Sequence, residues 1–260
     1  MTKLSVNINK IALIRNSRKG NNPSLEFFSK KIIESGAHGI TVHPRPDLRH
    51  IRPDDLSDIS LITKELDVEF NIEGNPYEER LGDYPGFLNL IDAVKPSQCT
   101  LVPDDSNQLT SDHGWNIHSE HNKLKDVLTY LKQNNIRSSV FIDPDISQLD
   151  AAKDIGVDRI EIYTGPFAEA FEKNDENTLT TYREAIEYAN EINLEVNAGH
   201  DLNLKNLATL LSYGDIKEVS IGHALISESL IYGIENTIQK YTKICLLYTS
   251  PSPRDQRGSG

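Results

Sequence analysis

Several short apolar segments of this chain end in a side chain that can move protons. His43, Glu73, His200 and His223 each lie at the end of such a segment. Imidazole titrates near neutral pH, and burial raises the pKa of a glutamate toward the same range. These are the groups that general acid–base catalysis requires. We therefore expect them to converge on one site if the segments are neighbouring strands, although a structural ion pair with an arginine is the alternative for Glu73.

Glu161 differs because it lies inside its apolar segment, residues 159–163. A carboxylate that points into the interior of a sheet needs a partner or a catalytic task. The residues leave both interpretations open: Glu161 stabilises a developing cation, or it accepts a hydrogen bond from a neighbouring strand.

The segment after His43 is rich in cationic side chains and suits an anion. It contains Arg45, Arg49 and His50. Arginine offers a planar fork to phosphate oxygens, so the segment predicts a phosphorylated substrate beside the proton-moving groups. For Arg49 and His50, a solvated loop is an equal alternative.

Two glycine–histidine pairs, Gly199-His200 and Gly222-His223, come after the last two apolar segments. Glycine lets the backbone approach a ligand, and a helix N-terminus binds phosphate. His223 is either a phosphate donor or a helix-capping residue.

Asn7 and Asn9 alternate with apolar residues near the N-terminus, which predicts that they share one face of a first strand. They would hydrogen-bond a sugar or an amine, with Arg18 on a phosphate. Hydrogen bonding within the wall of the sheet is the alternative.

Eight short β-branched segments alternate with amphipathic helical segments and must position these residues. The pattern predicts an α/β fold, a single (β/α)8 TIM barrel with extra helices, and the strand-end residues favour it over an open doubly wound sheet. The predicted strands are 4–9, 39–43, 68–73, 99–102, 138–143, 159–163, 194–197 and 218–221. The predicted helices include 24–35, 55–66, 122–133, 179–192 and 224–241.

Length and charge narrow the function classes. The 260 residues suit one barrel domain, and the net charge of −12 argues against a nucleic-acid partner. No segment is apolar enough for a membrane span, so we expect a cytoplasmic protein. Cys99 and Cys245 form no disulfide framework or thiolate metal site.

Residues 244–260 break the periodic pattern with proline, serine and glycine. We expect residues 1–243 to form the barrel and 244–260 to be a disordered, non-native tail that looks like translated adapter sequence.

Taken together, the motifs resemble the pyridoxine 5′-phosphate synthase family from Leu4 to about Tyr241. They are Val6-Asn7-Ile8-Asn9-Lys10-Ile11-Ala12, Gly39-Ile40-Thr41-Val42-His43-Pro44-Arg45, Arg49-His50-Ile51, Val196-Asn197-Ala198-Gly199-His200 and Ile221-Gly222-His223-Ala224. The resemblance implies condensation of 1-deoxy-D-xylulose 5-phosphate with 3-amino-2-oxopropyl phosphate to pyridoxine 5′-phosphate, phosphate and water. It implies no cofactor and no metal, and a homo-octamer.

The resemblance also implies roles for individual residues. His43 and Glu73 would accept protons, His200 would donate one, and Glu161 would stabilise a transition state. Contacts to the aminoketone phosphate would come from Asn7, Asp201, Gly222 and His223, contacts to the deoxyxylulose phosphate from Asn9, Lys10, Arg45, His50 and Thr110, and a further phosphate contact from Arg18.

Three positions depart from the family pattern. Asn9 and Lys10 stand where many members have aspartate and histidine, and Asp201 replaces a glycine. Asn9 cannot act as a base, and the charge of Asp201 is unfavourable near phosphate.

Two other functions compete with the synthase. One is a metal-dependent barrel enzyme with His43, Glu73 and His200 as ligands, and the other is a non-catalytic phosphosugar-binding barrel. We also predict that residues 103–115 form a mobile loop over the mouth.

Overall fold

Eight parallel strands close into a barrel in the order of the sequence. The computed structural model describes residues 1–105 and 108–248. The closed sheet confirms the predicted TIM barrel and excludes the open sheet. The strands are β1 (Lys3–Asn7), β2 (Gly39–Val42), β3 (Glu69–Gly74), β4 (Gln98–Leu101), β5 (Arg137–Ile142), β6 (Arg159–Tyr163), β7 (Glu195–Gly199) and β8 (Ile216–Ile221).

Helices surround the barrel, and within the described residues three βα units carry two helices instead of one, which fits the predicted extra helices. The helices are α1 (Asn9–Asn16), α2 (Leu25–Glu34), α3 (Pro53–Glu65), α4 (Phe87–Val94), α5 (Ile117–Gln133), α6 (Ile146–Ile155), α7 (Gly165–Lys173), α8 (Glu176–Glu191), α9 (Leu207–Leu211), α10 (His223–Tyr232) and α11 (Ile234–Leu247). The single helix predicted over 224–241 is wrong, because Gly233 with a φ of +77° separates α10 from α11.

The strands bury apolar side chains against the helices and place polar ones inside the barrel. Within the barrel, the hydroxyls of Ser5 and Thr41 lie 2.7 Å apart, and Thr100 donates to Asn71 over 3.1 Å. All four side chains are buried. The barrel interior is therefore a hydrogen-bonded polar layer, which supports the polar site above it.

One sequence prediction about an element end is wrong. Asn9 does not share a strand with Asn7: β1 ends at Asn7, and Asn9 begins α1. The domain boundary at 243 stays a prediction, although α11 continues past it to Leu247 and buries Cys245 completely. The predicted tail beyond 248 lies outside the described residues. Across residues 1–105 and 108–248, we find no helix with the length and apolar character to cross a membrane.

Candidate active site

A cavity of about 470 Å³ opens at the carboxyl ends of the strands. Of the predicted site residues, all but Arg18 line it: His43, Glu73, Glu161, His200, Asn7, Asn9, Lys10, Arg45, His50, Thr110, Asp201, Gly222 and His223. Arg18 is exposed in the turn after α1 and lies outside the cavity of this single chain. The sequence therefore identified one site, and the roles of its residues stay predictions.

Glu73 lies near the carboxyl end of β3 and is buried. Ser220 on β8 donates to its Oε1 over 3.4 Å, while its Oε2 lies 4.0 Å from Nδ1 of His43. Burial raises the pKa of Glu73 to about 8, and the negative charge of Asp104 adds to the effect. Among the described residues, no arginine lies within salt-bridge distance of Glu73, so the alternative of a structural ion pair with an arginine does not hold.

His43 follows β2 and is also buried. Its backbone N–H donates to Oδ1 of Asn9 over 3.0 Å, and the backbone N–H of Asn9 donates to Oδ1 of Asn7 over 3.0 Å. Burial and the positive charge of Arg45 hold the pKa of His43 well below its ordinary value. The imidazole is therefore neutral at neutral pH and can accept a proton.

The same hydrogen bonds define what Asn9 offers a ligand. The side-chain oxygen of Asn9 accepts the backbone N–H of His43, so the side-chain amide nitrogen is the group that can face the cavity. Asn9 thus presents a hydrogen-bond donor to the cavity, where an aspartate would present an acceptor.

Glu161 lies within β6 and is almost fully buried. Its Oε2 lies 3.5 Å from the hydroxyl of Thr100 on β4. A side-chain carbon at Gly199 on β7 would lie 2.2 Å from Oε1, so a larger residue there would displace the carboxyl group from this position. Burial raises the pKa of Glu161 well above its ordinary value, and the nearby charge of Glu73 raises it further.

His200 lies in a strained turn after β7, where His200 and Asp201 have φ values of +86° and +59°. Its Nδ1 lies 2.9 Å from Oδ2 of Asp201, and its Nε2 lies 2.9 Å from the hydroxyl of Thr110. Thr164 supports the turn, because its Oγ1 lies 2.6 Å and 2.5 Å from the carbonyl oxygens of Gly199 and His200. The hydrogen bond from His200 lowers the pKa of Asp201. The added carboxylate at 201 therefore orients the histidine.

The cationic segment after β2 holds the loop after β4. Arg45 forms an ion pair with Asp104 and donates to the carbonyl oxygen of Gln108 over 3.0 Å. Arg49 donates to the carbonyl oxygens of Gln108 and Leu109, both over 3.2 Å. Arg49 therefore has fixed partners and is not part of a purely solvated loop.

His50 is a neutral group beside these arginines. Burial lowers its pKa to about 3, and the charges of Arg45 and Arg49 contribute. Its Nδ1 accepts a hydrogen bond from the backbone N–H of Ile51 over 3.0 Å. In the neutral ring, the other nitrogen then carries the proton and can donate to an anion.

Sequence reasoning missed Asp104, Ser220 and Phe141. Asp104 is buried against Arg45, and Ser220 and Phe141 line the cavity. Asp104 could have been identified from its position three residues after a strand, but it was assigned from the sequence to the predicted mobile loop. Described residues of that loop, Leu109 and Thr110 among them, do line the mouth.

The ligand set of the metal-dependent alternative is not assembled. In the part of the chain that the structure describes, no group of three or more histidine, cysteine, aspartate or glutamate side chains is placed to hold a metal ion. His43, Glu73 and His200 therefore share the cavity without forming such a group.

Comparison with known proteins gives close relatives over almost the whole chain. Residues 4–246 match the family described as pyridoxal phosphate biosynthesis protein PdxJ. The pyridoxine 5′-phosphate synthase of Christiangramia forsetii is 49% identical over 247 residues, which cover 94% of this chain and 99% of that protein. The pyridoxine 5′-phosphate synthase of Xanthomonas axonopodis pv. citri is 47% identical over 245 residues, covering 94% and 96%.

Solved structures with little sequence identity share the fold. Thiamine phosphate pyrophosphorylase from Pyrococcus furiosus aligns with a TM-score of 0.59 at 13% identity, covering 96% of this chain and 97% of that one. Tryptophan synthase from M. tuberculosis aligns with a TM-score of 0.62 at 11% identity, covering 94% and 92%. At this identity, the likeness concerns the barrel alone.

Proposed function

The chain belongs to the PdxJ family of pyridoxal phosphate biosynthesis proteins, and from that premise we propose that its barrel mouth catalyses the pyridoxine 5′-phosphate synthase reaction. The reaction condenses 1-deoxy-D-xylulose 5-phosphate with 3-amino-2-oxopropyl phosphate and releases phosphate and water. One observation carries the proposal: a single cavity contains His43, Glu73, Glu161 and His200 beside cationic groups that suit phosphate.

The chemistry requires several proton transfers in turn. The amine attacks a ketone to form an imine, water and phosphate leave, and ring closure removes a proton from carbon. Neutral His43 is one proton acceptor, Glu73 becomes one after it has released its own proton, and His200, fixed by Asp201, is the donor. Glu161 is buried and has no cationic partner among the residues that the structure describes, so a developing positive charge on the imine favours its ionised form.

The two phosphate groups have separate binding regions in this proposal. Arg45 and neutral His50 follow β2, whereas Gly222 and His223 at the start of α10 follow β8, and β1 lies between these two strands. The N-terminus of α10 offers backbone N–H groups to an anion. A side-chain carbon at Gly222 would lie 3.0 Å from Asn7, so glycine keeps this region open.

We extend the proposal to assembly and location. The family resemblance implies a homo-octamer in the cytoplasm, with phosphorylated small molecules as the partners. Exposed apolar side chains on α1 and α10 support self-association, among them Ile14, Leu230 and Ile231.

The experiment that tests the function mixes protein ending at Tyr248 with both substrates and follows pyridoxine 5′-phosphate by absorbance. We expect product from the parent protein. His43→Ala and Glu73→Ala each remove a proton acceptor and should slow turnover by about 100-fold or more. The matched control is Glu79→Ala, a carboxylate removed from an exposed position outside the cavity, which should turn over like the parent. Binding of both substrates without product would support the non-catalytic barrel instead.

A further inference from the structure

Asp104 is a buried carboxylate that no sequence motif identified. It lies after β4, and its side chain is 2% exposed. Its Oδ2 accepts a hydrogen bond from the hydroxyl of Ser111 over 2.8 Å and pairs with the guanidinium group of Arg45. Its Oδ1 is buried and has no hydrogen-bond partner within residues 1–105 and 108–248. The group is therefore held in place and keeps acceptor capacity.

The imidazole of His43 lies between this carboxylate and Glu73. Its Nε2 is 4.0 Å from Oδ2 of Asp104, and its Nδ1 is 4.0 Å from Oε2 of Glu73. Catalytic hydrogen bonds are often this long before substrate binds, and they shorten in the complex. The three side chains come from three different strand ends, so the barrel brings together a carboxyl–imidazole–carboxyl row.

The two carboxyl groups differ in their surroundings. Arg45 and Ser111 both stabilise the ionised form of Asp104, which opposes the rise in its pKa that burial causes. Glu73 has a single hydroxyl donor at 3.4 Å, and its pKa of about 8 keeps it protonated at neutral pH. A neutral imidazole directs its one N–H toward the ionised neighbour. That neighbour is Asp104.

We propose that Asp104 is a positioning residue that fixes the Nε2–H tautomer of His43 and so directs the lone pair of Nδ1 at Glu73. The proton on Oε2 of Glu73 then moves to Nδ1 of His43. This step leaves a carboxylate on Glu73 and an imidazolium that Asp104 stabilises, and the row gains and loses no proton. It explains how a glutamate that burial keeps protonated acts as a base.

The other groups near His43 favour its neutral form, so the imidazolium needs the negative charge of Asp104. Burial and the neighbouring Arg45, His50 and Arg49 lower the pKa of His43. The charged and titratable groups facing it are Arg45, Arg49, His50, Glu73 and Asp104. Without the charge of Asp104, the imidazolium has only Glu73 to balance it.

The first test is independent of catalysis. Protein labelled with ¹⁵N-histidine is studied by NMR without substrate at pH 6.5, where Glu73 is protonated and His43 is neutral, and the signals of His43 are identified by their loss in His43→Gln. We expect Nε2 to carry the proton in the parent protein. A proton on Nδ1 of His43 in the parent overturns the proposal, whether or not any variant folds.

Asp104→Asn is the second test, because it keeps the shape and removes the charge. We expect the population of the Nε2–H tautomer to fall. The control is Asp112→Asn, the same change at an exposed position of the same loop, outside the cavity, which should leave the His43 signals unchanged. An unchanged tautomer in folded Asp104→Asn also overturns the proposal.

The third test rests on the proposed synthase function. In Asp104→Asn, kcat should fall by about 100-fold while KM for either substrate changes little, and Asp104→Glu should recover part of the loss. A rise in KM without a fall in kcat would make Asp104 a support for Arg45 only. If the parent makes no product, the synthase function fails, and the NMR result still decides the tautomer.

Discussion

At the residue scale, Glu73 makes stability depend on pH in a direction unusual for a carboxyl group. Its pKa is about 8 in the folded protein against an ordinary value of 4.5. Between these values, the folded protein binds a proton that the unfolded chain releases. The stabilising contribution is therefore complete below pH 4.5 and is lost as the pH rises through 8.

Glu73→Gln should remove this dependence. The free energy of unfolding of the parent should fall between pH 6 and 9 by up to about 1.4 kcal/mol per pH unit from this group, and the variant should show a shallower slope. Urea unfolding at a series of pH values measures it. Glu79→Gln, an exposed carboxyl group, is the control. Equal slopes in the parent and Glu73→Gln would show that Glu73 does not carry the proton.

The same scale shows what the sequence can predict about the site. His43, Glu73 and His200 could be predicted because each follows an apolar segment, and strand ends meet at one mouth. Asp104 could not be assigned, because its meaning comes from Arg45, which is 59 residues away in the chain. Local sequence reports burial and strand direction, whereas this ion pair depends on how distant loops pack.

At the scale of elements, the end of β7 is held by one hydroxyl group. Thr164 is fully buried, and its Oγ1 contacts the carbonyl oxygens of both Gly199 and His200. Thr164→Val keeps the shape and the backbone hydrogen bond to Gly199, but it removes the hydroxyl donor from the carbonyl oxygen of His200, which costs about 1–3 kcal/mol of stability. His200 would also lose its fixed orientation, so kcat should fall by about 10-fold or more. Thermal unfolding and turnover measure the two effects.

Thr164→Ser is the matched control for this prediction, because it retains the hydroxyl group and removes only a methyl group. It should keep most of the parent turnover. If Thr164→Val turns over as fast as the parent, the strained turn does not depend on the hydroxyl group of Thr164.

The wrong end assigned to the first strand has a local physical reason. The alternation of apolar and polar residues continues past Asn7, so the pattern predicted a strand to residue 9. The side chain of Asn7 instead accepts the backbone N–H of Asn9 over 3.0 Å, which turns the chain into α1. The apolar–polar pattern cannot show that a side chain, here that of Asn7, accepts a backbone hydrogen bond in place of a neighbouring strand.

The end of α11 gives a second prediction at this scale. Cys245 is completely buried, and α11 packs against β1 and α2. Protein ending at Lys243 loses this side chain and the last helical turn, so its free energy of unfolding should be about 1–3 kcal/mol lower than that of protein ending at Tyr248. Urea unfolding of the two proteins measures this difference in the free energy of unfolding. Equal stability would support the predicted domain boundary at 243.

At the scale of the whole molecule, charge is distributed unevenly. The chain carries a net charge of −12, yet Lys10, Arg45 and Arg49 line the mouth. A cationic mouth on an anionic surface concentrates anions at one place and keeps the remaining surface unfavourable to them. The composition gives the net charge of the chain, whereas the closed barrel shows that these cationic side chains lie together at the mouth.

The last prediction concerns assembly. Helices α1 and α10 pack against each other and expose an apolar face, comprising Leu13, Ile14, Leu230, Ile231 and Tyr232, with Leu230 and Ile231 82% and 75% exposed. Single soluble chains rarely expose neighbouring apolar side chains in this way. We expect light scattering to give a mass eight times that of the 29.2 kDa chain. Leu230→Asp combined with Ile231→Asp should give a smaller species, because a buried contact cannot hold two new charges.

Leu61→Asp is the control for this change. Leu61 is 68% exposed on α3, which contributes no residue to the face formed by α1 and α10, so the variant should keep the parent mass. Because Leu13 belongs to the apolar face and also lines the cavity, separation of the subunits should change turnover as well as mass. A parent protein that is monomeric, or a double variant with the parent mass, would rule out this face as the contact between subunits.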